Sequence, residues 1–123
     1  HLLENLVFVD GRRRGRELYY YRTRTGREVD FVWRGEDGRL TLIQVAFQAP
    51  EGSDTLSREV AALREALREQ PGSRALLVTM DDAPRCLDTT DGPVEIVPVW
   101  QYLLEGENAD NSRRDAGAPR MEA

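Results

Sequence analysis

The chain contains no lysine: all 17 of its basic residues are arginine. A Walker-type phosphate loop needs a lysine to reach the nucleotide phosphates, so a complete ATPase of that kind is excluded. Arginine replaces lysine in proteins from GC-rich genomes, which accounts for the bias. The chemical restriction holds all the same, because arginine stays protonated and is a poor general base. A single cysteine, Cys86, allows no internal disulfide and fits a reducing, cytoplasmic compartment. The one histidine, His1, is terminal, which argues against Ser-His-Asp and Cys-His nucleophile systems and against zinc sites built from several His or Cys. No apolar run approaches the ~20 residues of a membrane-spanning helix, and no signal-peptide pattern is present, so no membrane partner is expected.

What is present suits one domain. The 123 residues can bury a single core, and 40% hydrophobic with 32% charged residues is ordinary for a globular protein. Charge is unevenly spread. Residues 1–34 hold 8 Arg against 5 acids, a net of +3; residues 35–123 hold 9 Arg against 17 acids, a net of −8, giving the overall −5. An acidic chain is a poor non-specific nucleic-acid binder, because phosphate neutralisation supplies most of that affinity. Arg12, Arg13, Arg14 and Arg16 form the one local basic run that could contact phosphate. The competing and favoured reading is a solvated helix end, where arginines complement the dipole.

The pattern along the chain predicts an α/β domain over residues 1–105 and a disordered tail over 106–123. Leu2, Leu3, Leu6, Val7 and Val9 give a first helix a broad apolar face that includes Glu4. The chain begins without methionine and already reads as helix, which suggests a piece of a longer protein. Gly11 and Gly15 mark where the helix fades. Tyr19 to Arg22 reads as an aromatic strand, more in keeping with core than with an interface. In the next strand, Val29, Phe31 and Trp33 should share one face, and Glu28, Asp30 and Val32 the other. The third strand, 39–47, puts Leu40, Leu42, Gln44 and Ala46 on one side, so Asp30 and Gln44 can meet across the sheet. A helix capped by Asp54 or Thr55 carries the stripe Leu56, Val60, Leu63, Leu67. A buried strand at 75–80, an acidic loop at 81–92, a short strand at 94–97 and a last helical segment at 98–104 complete the order α-β-β-β-α-β-β-α.

The candidate chemistry lies on the second and third strands. Metal-dependent phosphodiester cleavage uses carboxylates to hold Mg2+. Asp30 and Gln44 are polar residues on strands that should be partly buried, and Glu4 is a further oxygen donor. A buried Asp–Gln hydrogen bond explains the same pair without a ligand.

Six collinear segments resemble a known family: Leu3-Glu4-Asn5-Leu6-Val7-Phe8, Tyr20-Tyr21-Arg22-Thr23, Gly26 through Val32, Ile43-Gln44-Val45, Arg58 through Leu63, and Val97-Pro98-Val99-Trp100. They are similar to the domain of unknown function at the C-terminus of archaeal and bacterial AAA-type ATPases. That resemblance implies a restriction-endonuclease-like mixed sheet of the PD-(D/E)XK superfamily, flanked by helices. Asp30 then matches the first acid, Gln44 the (D/E) position, Ala46 the lysine position and Glu4 the helix glutamate of some members. It also implies an ATPase module upstream or in trans. Ala46 has no functional group, and no lysine exists to replace it. The expectation is a catalytically degenerate nuclease-like domain serving as a binding or regulatory module. The alternatives are a metal-dependent nuclease with an altered site, aided by Arg22 or Arg24, and a self-associating interaction domain using Trp33 or the tyrosine strand.

Overall fold

The computed structural model describes residues 2–105, so the expectation for the tail lies outside the described residues. The chain runs α1 (Leu2–Arg13), β1 (Tyr19–Arg22), β2 (Glu28–Arg34), β3 (Leu40–Val45), α2 (Asp54–Glu69), β4 (Arg74–Thr79), β5 (Arg85–Thr89) and β6 (Gly92–Pro98), then a closing helix α3 over 99–105. The six strands form one mixed sheet in the order β1-β2-β3-β4-β6-β5. The centre, β3-β4-β6, is parallel, and antiparallel partners flank it on both sides.

Parallel strands need cover on both faces. On one face α2 lays Leu56, Leu63, Ala66 and Leu67 over Leu42, Ala75, Leu77, Val94 and Ile96. On the other, Leu3 and Val7 of α1 and Val99 and Tyr102 of α3 cover Ile43, Val45, Leu76 and Val78. The alternating sets in β3 and β4 explain why the continuous apolar run of β4 is buried throughout. The cap of helix α2 is Ser53, one residue before the expected Asp54 or Thr55. The Ser53 hydroxyl accepts the Leu56 N–H at 3.1 Å, which places Asp54 in the first turn, where the helix dipole favours an acid.

Several sequence expectations need correction. The acidic loop at 81–92 contains strand β5, paired antiparallel with β6. Its inward positions Arg85, Leu87 and Thr89 include one hydrophobic residue, so apolar alternation could not mark it. The second correction concerns β2. Tyr19 pairs with Val32 and Tyr21 with Val29, a step of two against three, so β2 carries a bulge at Asp30-Phe31. The extra residue reverses the alternation, and Val29 joins Val32 on the α2 face while Phe31 and Trp33 stay on the α1 face.

The third is the arginine run. Arg14 and Arg16 are not solvated. Asp10 is 4% exposed and receives Arg14 Nε at 3.0 Å, with Arg13 at 3.4 Å and Arg16 at 4.0 Å. Arg14 also donates to the Leu103 carbonyl at 3.1 Å, and the Arg16 guanidinium lies 4.0 Å from the Trp33 ring. Together they tie α1 to α3 and to the sheet. Gly11 lies within the helix rather than at its end, and a Cβ there would meet Leu18 Cδ1 at 2.7 Å. Gly15, at φ 75°, makes the actual stop. Of the predicted apolar face of α1, only Leu3 and Val7 are buried; Leu2, Leu6 and Val9 remain exposed. Tyr19 and Tyr20 are exposed as well, on an edge strand rather than in the core.

Asp10→Ala should therefore cost about 3 kcal/mol or more, since it strands a buried guanidinium. Arg12→Ala should fall within about 0.5 kcal/mol. Urea unfolding of the two variants measures the contrast, and equal small losses would mean the Asp10 cluster is solvent-screened.

Candidate functional site

Strands β2 and β3 pair by backbone from Arg34↔Leu40 to Phe31↔Ile43. The next pair in that register is Asp30 with Gln44, and there side chains take over from the backbone. Gln44 Oε1 accepts the Asp30 N–H at 2.8 Å, and Gln44 Nε2 donates to the Glu28 carbonyl at 2.9 Å. In the opposite direction, the Val45 N–H donates to Asp30 Oδ2 at 2.8 Å. The bulge would otherwise leave three backbone groups of a half-buried region unpaired, a loss of roughly 1–3 kcal/mol each. Asp30 and Gln44 thus meet as the strand pattern predicts. The amide, however, binds the backbone of β2, not the Asp30 carboxylate.

These two residues floor a cleft of about 340 Å3, whose lining also includes Arg27, Arg58, Glu59 and Ala62. Glu59 comes from α2 and was not picked out as a site residue from the sequence. Its signal was an acid three residues after Leu56 and four before Leu63, at the margin of a buried stripe. Burial pushes the Asp30 carboxyl above its usual range; the Val45 N–H opposes this, and the charges of Glu4 and Glu28 add to it. Burial likewise raises Glu59, with the Asp30 charge next, while Arg58 at 3.5 Å pulls the other way.

Glu4 is held on α1, against the opposite face of the sheet, and lines a different depression with Asn5, Phe8 and Phe31. Its charge reaches both Asp30 and Glu59, but no group of three His, Cys, Asp or Glu side chains converges on a metal-sized point among the described residues. Ala46 follows β3 and packs half-buried against the α2-side core, its N–H bonded to the Val78 carbonyl. Of the candidate nucleic-acid contacts, Arg12 and Arg13 are exposed, whereas Arg14 and Arg16 are held by the Asp10 cluster. Arg22 pairs with Glu28 at 3.0 Å on the surface.

The fold and cleft define an α/β domain with a sealed strand bulge beside a pair of acids. The chain belongs to the family described as a domain of unknown function (DUF4143), which matches residues 1–102. It is 34% identical over 111 residues to an uncharacterized protein of Methanocaldococcus jannaschii, an alignment covering 84% of this chain and 24% of that relative. The chain therefore spans about a quarter of the length of the curated relative it matches. No solved structure matches it. No helix among the described residues is long and apolar enough to cross a membrane.

Two outcomes follow from this geometry. Gln44→Leu keeps the volume but unpairs Asp30 N–H and the Glu28 carbonyl, and should lose about 2–3 kcal/mol in urea unfolding. The second concerns pH. A carboxyl raised on folding favours the folded state below its unfolded pKa, and that contribution disappears as pH climbs through the folded value. For Asp30 and Glu59 the window opens at the ordinary carboxylate range and extends upward. Glu59→Gln should therefore flatten the decline of stability across that window and gain most on wild type at neutral pH. Parallel pH profiles of the two proteins would show Glu59 to be uninvolved.

Proposed function

We propose that this domain is a catalytically silent binding or regulatory module of an AAA-type ATPase family protein, built on a restriction-endonuclease-like frame. One observation carries the reading: the Gln44 amide, at the position where a nuclease of that frame holds its second acid, spends both its ends closing the β2 bulge. A magnesium centre requires several oxygens converging on one ion. Asp30 has one carboxylate oxygen committed to Val45, and Glu4 approaches from the far face. The donor set does not fit such an ion. Ala46 can neither orient water nor stabilise a developing charge, and no lysine elsewhere can substitute. Family resemblance supports the ATPase association, with the ATPase module supplied upstream or in trans.

The metal-dependent nuclease alternative draws on Asp30 and Glu59 sharing one cleft. Supercoiled plasmid incubated with the domain and either magnesium or manganese should remain intact, and Asp30→Ala should behave identically. Cleavage by the wild type that Asp30→Ala removes would overturn the reading. Addition of the domain in trans to the ATPase fragment of a family member should alter its ATP hydrolysis rate.

A further inference from the structure

The three parallel strands all end at one rim of the sheet, and large apolar side chains stand there in water. Phe47 follows β3 by two residues, Met80 follows β4 by one, and Trp100 follows β6 by two. The Met80 N–H donates to the Phe47 carbonyl at 3.0 Å, and Thr79 pairs with Pro98, so the three exits lie side by side. Phe47 and Trp100 keep more than half of their surface exposed, and Met80 more than a third. Helix α1 begins at the same end. The Glu4 charge acts on Asp30 and Glu59, which share a cleft with Gln44 near the end of β3. At the other end of the helix, Arg16 stacks on Trp33, which pairs with Thr41 near the start of that strand. Leu2, with most of its surface in water, therefore adds to the rim.

Phe, Trp and Met are the side chains that protein contacts favour at their centres, and a cluster of them left open marks a contact surface. The charges around it constrain the cover. The turns that leave β3 and β4, residues 46–53 and 80–84, carry Glu51, Asp81 and Asp82 and no basic residue. Asp82 and the next cation along, Arg85, are both held by the Ala49 backbone, at 2.8 and 2.9 Å, while Glu51 and Asp81 stay exposed. Glu4 adds a further acid in the first turn of α1. An apolar centre with an acidic border fits a partner face whose apolar side chains are bordered by lysine or arginine. A second copy fits poorly, because a twofold contact sets the acidic border against itself. The size of the relative supplies the occupant. The matched stretch is 24% of the Methanocaldococcus jannaschii protein, and the rest of that polypeptide lies outside it. Chain joined ahead of α1 would leave from this rim. We propose that the rim formed by Leu2, Phe47, Met80 and Trp100 is the docking face for the remainder of the family polypeptide, received through an apolar surface with a basic border. The assignment rests on the reading of this domain as a module of a longer protein.

Hydrogen–deuterium exchange on the intact M. jannaschii relative tests this. Substitutions there corresponding to Phe47→Asp and Trp100→Asp should release the docked remainder. Amides of the turns aligned with 46–53 and 80–84 should then exchange at least about tenfold faster, while those of the aligned central strands keep their protection. In the present chain, where no remainder is attached, Phe47→Asp and Trp100→Asp should leave exchange in the same turns unchanged. Unchanged exchange in the altered relative, or equal acceleration in the present chain, would overturn the proposal. So would sedimentation showing the present chain to be a dimer that Trp100→Asp dissolves, since a second copy would then cover the rim. Release without any ATP hydrolysis by the intact relative would overturn the ATPase association and leave the docking face standing. ATP hydrolysis with no release would do the reverse.

Discussion

The point on which this fold turns is the exchange of side chains for backbone at Asp30 and Gln44. Beyond Phe31↔Ile43, beside the bulge that β2 carries against β1, side chains take over from the β2–β3 main-chain ladder. The amide of Gln44 and the carboxylate of Asp30 restore three bonds in place of the backbone groups. Strand β3 is the link between the antiparallel outer hairpin and the parallel centre, so a slip here would reach both core layers. A one-residue change of register exchanges the faces of every following side chain. The stitch therefore sets which residues of β2 face α2 and which face α1.

The same exchange constrains chemistry. A side chain whose donor and acceptor are both engaged in holding a strand is poorly placed to follow a substrate or an ion. Gln44 is 3% exposed and has its acceptor and its donor each committed to β2. What remains reactive in the cleft is an acid pair, Asp30 and Glu59, each raised first by burial and then by neighbouring negative charge. Burial and the Asp30 charge hold the Glu59 carboxyl above its usual range, against the pull of Arg58 beside it. The frame is that of a site, while its polar groups serve the frame.

Helix α1 shows the complementary case, in which charges bought from solvent become structure. Asp10 gathers Arg14 and Arg16 inward, and those arginines reach α3 and Trp33. Arg13 reaches Asp10 from the surface at 3.4 Å, and Arg12 stays exposed. One run of four arginines is thus divided, with Arg14 and Arg16 largely covered and Arg12 and Arg13 exposed.

Much of the fold was legible from residues alone. The period-two pattern of 40–46, the apolar run of β4 and the Leu56–Leu67 stripe each report local burial directly, and they suffice for an α/β domain with Asp30 opposite Gln44. Strand β5 was hidden because an edge strand needs little apolar surface, and Leu87 is its one inward hydrophobic residue. The bulge was hidden because it is a mismatch between two strands, a property of neither one. Glu59 was hidden because its partner cleft exists only once α2 crosses β2 and β3. The sequence by itself determined the lack of lysine, the residue types at the site and the periodicities that build the layers, since these depend on composition and local burial. Tertiary structure alone decided that Gln44 serves the backbone, that Arg14 and Arg16 turn inward to Asp10, and that Glu59 joins Asp30. Each of those depends on pairing between segments far apart in the chain, where geometry chooses among partners that the sequence leaves equivalent.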